Sequence, residues 1–286
     1  MFTALIEPEQ LHAHTTALDW AIIDCRFDLA KPAWGEAAWA AGHIPGALYA
    51  HLDRDLSGAH TASTGRHPLP AVPALASTFG GWGIDAAVQV VAYDQGPGAY
   101  AARLWWLLRW LGHRQVAVLN GGFAAWERAR LPVSRVAAVR APRRFTPAPL
   151  PDMLVTSAAV AAALTAGELA RGELLLVDAR SAERFAGETE TLDAVAGHIP
   201  GARNHPFVAN NDTQGRFLPA GELRRSWQRT LAGRPAAAMV AMCGSGVTAC
   251  QNLLALEAAG LGGARLYAGS WSEWIRDPTR AVARGS

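Results

Sequence analysis

Cysteine is scarce in this chain. Three stand among 286 residues, at positions 25, 243 and 250, which cannot make a disulfide framework and fits a reducing compartment. No apolar run approaches the roughly 18 residues of a membrane span, because Arg, Gly or Pro interrupts the longest candidates. The opening M-F-T-A-L-I-E-P-E-Q lacks the basic start and long apolar core of a secretory leader. An excess of one charge is missing too: the net value of +2 gives no reason to invoke nucleic acid or an anionic membrane surface. The expectation is a soluble cytoplasmic protein with neither as partner. What is plentiful is apolar. Half the residues are hydrophobic and 17% are charged, so a substantial core is expected and bulk disorder is not.

The length suits one large domain or two of ordinary size, and internal repetition decides for two. Ile22-Ile23-Asp24-Cys25-Arg26 matches Leu176-Val177-Asp178-Ala179-Arg180. Gly42-His43-Ile44-Pro45-Gly46-Ala47 recurs as Gly197-His198-Ile199-Pro200-Gly201-Ala202, and Gly65-Arg66-His67-Pro68-Leu69-Pro70 has a looser echo in Gly215-Arg216-Phe217-Leu218-Pro219. Val91-Ala92-Tyr93-Asp94 aligns with Val240-Ala241-Met242-Cys243, and Gly121-Gly122-Phe123 with Gly269-Ser270-Trp271. The offset drifts only from 155 at Gly42 and Gly197 to 148 at Gly121 and Gly269. Two copies of one unit are therefore expected, over residues 1–138 and 152–286. Between them, residues 139–151 (V-R-A-P-R-R-F-T-P-A-P-L-P) read as an extended Pro- and Arg-rich linker over a surface.

Each copy alternates strand and helix. In the second, strands are expected at 174–177, 238–242 and 264–267, and helices at 182–185, 222–231, 251–259 and 271–275. The first runs in parallel, with strands at 21–23, 88–93 and 115–119 and helices at 72–79, 99–111 and 123–129. This predicts an α/β fold with mainly parallel sheets and helices on both faces. Sites in such sheets lie at the carboxyl ends of strands.

One strand end stands out. Residues 243–250, C-G-S-G-V-T-A-C, follow an apolar run and precede a helical one. The backbone N–H groups of Gly244, Ser245, Gly246, Val247 and Thr248 can converge on one point, where the helix start adds partial positive charge. An anion belongs there, and the thiolate of Cys243 can supply it. A free cysteine, of pKa about 8.5, is only some 3% thiolate at neutral pH; such a setting can make the thiolate a main species. The bland reading is a small buried cysteine beside a turn. Its place at the start of a glycine-rich loop favours a nucleophile.

With the repeat and the C-G-S-G-V-T-A loop together, the chain resembles the tandem-domain rhodanese-like sulfurtransferases over essentially its full length. The resemblance implies a catalytic cysteine in the C-terminal copy alone, with Asp94 in its place in the first. The loop is similar to that of the 3-mercaptopyruvate type, whereas thiosulfate-preferring relatives usually carry two basic residues where Gly244 and Ser245 stand. The implied chemistry is a double displacement. Cys243 takes the outer sulfur of a small donor as a persulfide, and cyanide, a thiol or a reduced thioredoxin-like protein then removes it. Neither metal nor organic cofactor is called for. Arg184 is implied to bind the donor carboxylate, against the bland reading of a solvated helix arginine. Leu192 stands where mercaptopyruvate enzymes usually place a second arginine, which weakens that donor. Ser245 is implied to join a histidine in a relay. The histidine maps to His43, although a motif present twice favours a turn-pinning role for His43 and for His198.

Asp178 and Arg180, repeated as Asp24 and Arg26, are read as structural residues near the site. Thr248 is expected to cap the helix more than to touch substrate. Cys250 and Cys25 read as packed and inert, and the tryptophans, Trp105, Trp106 and Trp110 among them, as core. Three rivals compete. A cysteine phosphatase needs Arg six positions after the cysteine, where Ala249 stands. A dinucleotide fold fits G-x-G-x-x-A at Gly244, but no acid ends the next strand, at Tyr267-Ala268-Gly269. Thiosulfate:cyanide transfer, or a non-enzymatic sulfur carrier or regulatory module, remains the alternative.

Overall fold

Strands apolar at nearly every position belong in parallel sheets, whose two faces are both covered by helices. The computed structural model, which describes residues 1–285, holds nine strands, of which the central ones are of this kind: β1 Leu5–Ile6, β2 Trp20–Asp24, β3 Leu48–Tyr49, β4 Gln89–Tyr93, β5 Val116–Leu119, β6 Leu175–Asp178, β7 Arg203–Asn204, β8 Met239–Met242 and β9 Arg265–Leu266. Every residue of β4, β5, β6 and β8 is buried. The chain divides into two units. Unit 1 consists of Met1–Gly58, Leu69–Leu150 and Asn211–Phe217; unit 2 consists of Ala59–Pro68, Pro151–Asn210 and the chain from Leu218.

In unit 1 the sheet order is β1-β5-β4-β2-β3, with every pairing parallel and Ile23 opposite Ala92. The helix Ala99–Trp110 follows β4 and is buried almost all round, Trp105, Trp106 and Trp110 included. Ile22, Val91, Tyr93, Leu119, Phe123 and Trp126 form the core on one face of the sheet. Residues 139–150 run without helix or strand along this unit. Arg140 donates to the carbonyls of Leu18, Trp20 and Trp82, and Phe145 is buried edge-on to Phe79. Nothing in its two residues announces β1; it exists because Val118 and Asn120 donate to Ala4 and Ile6.

In unit 2 the order is β7-β6-β8-β9, again all parallel, with Asp178 opposite Met242. The amphipathic helix Ala220–Leu231 buries Leu223, Trp227 and Leu231, spaced four residues apart. The helix Ser157–Thr165 starts at Thr156, whose hydroxyl accepts from Ala159 N at 3.2 Å. No described helix is long and apolar enough to cross a membrane.

The duplicated motifs occupy equivalent places. Asp178 receives two guanidinium nitrogens of Arg180 at 2.7 and 3.0 Å, and Asp24 those of Arg26 at 2.7 and 2.9 Å. Each arginine also donates to the glycine carbonyl opening G-H-I-P-G-A, Gly197 or Gly42. His198 stacks on Phe185 and faces its carbonyl, and His43 does the same with Trp39. The aspartates, arginines and histidines of both copies are buried, so the pairs tie strand ends to turns.

Candidate active site

The end of β8 delivers Cys243 into the turn that begins helix Ala249–Ala258. Cys243 is 2% exposed, and its Sγ accepts from Gly246 N at 3.1 Å. Of the five loop amides expected around it, this is the one that makes the bond. Gly246 has φ +75°, and a Cβ there would run into the Ala268 carbonyl, so the turn requires glycine. Thr248 sits at the N-cap, yet its side chain makes no cap hydrogen bond, because its own backbone is already helical (φ −68°, ψ −21°). That corrects its expected capping role. Val247 is buried, and its carbonyl accepts from Cys250 N. Cys250 is buried with its thiol on the Gly246 carbonyl at 3.3 Å.

The start of helix Ser270–Trp274 clamps the cysteine from the other side. Ser270 Oγ accepts from Cys243 N at 3.0 Å, Trp271 N donates to the Cys243 carbonyl at 3.0 Å and Ser272 N to Gly244 O at 2.9 Å. Ser270, absent from the sequence-based set, thus fixes the nucleophile's backbone.

Ser245 is the second correction. Its Oγ lies 2.7 Å from Nδ1 of His67, a residue the sequence reading did not single out. His43 instead has both ring nitrogens against carbonyls of its own unit, Trp39 O at 2.8 Å and Val136 O at 3.1 Å, so neither is turned to a hydroxyl. The neighbouring Arg66 is held by its backbone N on Ser272 Oγ at 3.0 Å.

Arg184 projects from helix Ala182–Ala186, whose N-cap Ser181 accepts from Arg184 N. Its guanidinium binds Glu190 through Nε and Nη2, the shortest contact being 2.7 Å, and Asp193 at 3.1 Å. Asp193 also receives Arg66. Leu192 is 48% exposed and holds Glu190 only through its backbone N. Burial pushes Glu190 up, but Arg184 and the amides of Leu192 and Asp193 bring its carboxyl below the usual range. Burial dominates at Asp193 and holds it above that range despite Arg66 and Arg184.

In unit 1 the matching strand end carries Asp94. Its carboxylate receives Gly96, Gly98, Tyr100 and Ala101 N–H at 2.9–3.2 Å, filling a cradle of the kind expected around Cys243. Burial raises its pKa while those four amides lower it. The ring of Phe217, which echoes His67, packs 3.1 Å from the Cβ position of Gly98. The described residues contain no cluster able to hold a metal ion.

Two parallel-sheet units of one design, with a thiol at the strand end of one and a carboxylate in the other, define a duplicated α/β protein with a single candidate thiol centre. The chain matches the rhodanese-like domain over residues 7–129 and 161–277, and it belongs to that family. It is 47% identical over 283 residues, 98% of either chain, to a Pseudomonas aeruginosa protein named probable 3-mercaptopyruvate sulfurtransferase. It is 34% identical to the thiosulfate sulfurtransferase of Rattus norvegicus, covering 85% of this chain and 81% of that one. The crystal structure of SseA from Escherichia coli, described with 3-mercaptopyruvate sulfotransferases, matches with a TM-score of 0.80 at 30% identity, over 95% of this chain and all of that one.

Proposed function

We propose that the chain is a sulfurtransferase that moves sulfur from 3-mercaptopyruvate to a thiophilic acceptor through a persulfide on Cys243. The observation that carries this reading is the thiol of Cys243 at the end of β8, receiving the Gly246 amide with two guanidinium groups beside the same loop. The thiolate attacks the donor's sulfur, the carbon–sulfur bond breaks, and the released enolate takes a proton to become pyruvate. The enzyme retains an S–S bond whose outer sulfur is anionic, and the loop's fixed dipoles stabilise that charge without reorganising. An acceptor such as cyanide, a small thiol or a reduced thioredoxin-like protein attacks the outer sulfur, and Cys243 leaves as thiolate. Ser245, backed by His67, is the relay that steadies the donor's oxygen or the leaving group. Arg184 faces the donor carboxylate, while Asp178 and Arg180 hold the strand end beneath it. No metal or organic cofactor takes part, and the setting is the cytoplasm.

The neutral pair Gly244-Ser245 after the cysteine supports mercaptopyruvate over thiosulfate. With cyanide as acceptor, kcat/KM is expected to be higher for 3-mercaptopyruvate; a clear preference for thiosulfate would defeat the donor assignment.

A further inference from the structure

Glycine at 244 leaves a space beside Cys243, and two arginines reach it. A point one bond out from the Gly244 Cα, where a Cβ would stand, lies 2.8 Å from Arg66 Nη2 and 3.7 Å from both Nη1 and Nη2 of Arg184. Neither group is spent on its acidic partners. Arg66 gives only Nη1 to Asp193, and Arg184 gives Nε and Nη2 to Glu190 and Asp193. Nε and Nη2 of Arg66 and Nη1 of Arg184 therefore have no hydrogen-bond partner among the described residues. The acids beneath are 3% exposed while the arginine side chains are 26% and 21% exposed, so unused donors meet the open side of the loop. Arg66 does not arrive there by chance of rotamer. Its backbone N is bonded to Ser272 Oγ, and a Cβ on Gly65 would stand 2.5 Å from the Gly269 carbonyl, so the segment is pressed against the clamp that holds Cys243.

We propose that Arg66 is a specificity-determining residue, the second guanidinium of a carboxylate-binding fork it forms with Arg184 over Gly244. The ligand class is a small carboxylate whose reacting atom lies within reach of Cys243, and its identity as a 2-oxo-3-sulfanyl acid rests on the function proposed above. Two forks on one carboxylate give directional, charge-assisted bonds that neither arginine supplies alone. Asp193 bridges the two arginines, one carboxylate oxygen accepting from Arg66 Nη1 and the other from Arg184 Nη2. Burial disfavours its charged form, so it is the weaker of the two internal anions and yields to a donor carboxylate more readily than Glu190.

Iodoacetate and iodoacetamide test this on the intact protein. Both alkylate a thiolate with loss of iodide and are nearly equal in size; only the first bears a carboxylate. Arg66→Gln is expected to lower the ratio of their inactivation rates by about tenfold, the scale of one charge-assisted hydrogen bond, with the iodoacetamide rate little changed. Arg66→Lys, which keeps the charge and loses the fork, should fall between. In turnover, Arg66→Gln should raise KM for 3-mercaptopyruvate far more than it lowers kcat. An unchanged ratio with a normal iodoacetamide rate overturns the assignment, and so does an equal change in both rates, which would make Arg66 a mere support of the loop. If wild-type enzyme fails to turn over mercaptopyruvate, the donor reading falls, while the alkylation ratio still decides the role of Arg66.

Discussion

At the scale of single residues, the two histidines of similar burial divide cleanly by what their rings face. His67 meets a hydroxyl beside the nucleophile; His43 meets two carbonyls of its own unit, those of Trp39 and Val136. His67→Ala should lower kcat by about 10²-fold, the usual contribution of a positioned proton carrier, with little loss of thermal stability. His43→Ala should do the reverse, lowering the melting temperature and sparing kcat. Steady-state rates with melting curves decide between them, and a catalytic loss confined to His43→Ala would contradict the assignment. Cys243 was legible because its signals are local: an apolar strand, then glycines. His67 and Arg66 were not, because they act 178 and 206 residues away in sequence, on Ser245 and Ser272. A usable signal did exist. The repeats share the Asp-x-Arg and G-H-I-P-G-A motifs but differ at Cys243 against Asp94 and at His67 against Phe217, and those two differences fall on the site.

Among the elements, the loop between β8 and helix Ala249–Ala258 depends on one backbone conformation. Gly246→Ala adds a Cβ at φ +75° and drives it into the Ala268 carbonyl. Strain at positive φ alone costs about 1–3 kcal/mol, and the clash adds to it. The variant should melt at lower temperature and lose activity by displacing the amide that binds Sγ; wild-type melting and turnover would show that the turn does not need glycine. The parallel sheets were readable from strands apolar throughout, as in β4 and β8. The short edge strands β1 and β7 were harder, since two residues carry no period and pairing alone creates them.

For the molecule as a whole, each unit buries a histidine as the neutral ring. Burial holds His205 below its ordinary value of 6.5 despite its bond to Asn210, and it does the same for His113 despite its carbonyl partner. A depressed histidine pKa means that the unfolded chain takes up the proton first. This stability is complete above the ordinary value and is lost as pH falls through it toward the folded value. The melting temperature should therefore drop below about pH 6.5, less steeply in His205→Gln; a rise on acidification would contradict the burial argument.

Sulfur capture by one thiol of three underlies the whole account. The most direct measurement is the intact mass of the protein after incubation with 3-mercaptopyruvate and removal of excess donor. Wild type, Cys25→Ser and Cys250→Ser should each gain one sulfur, about 32 Da, lost again on adding cyanide, while Cys243→Ser gains none. A persulfide that still forms in Cys243→Ser, or fails to form in the wild type, would contradict it.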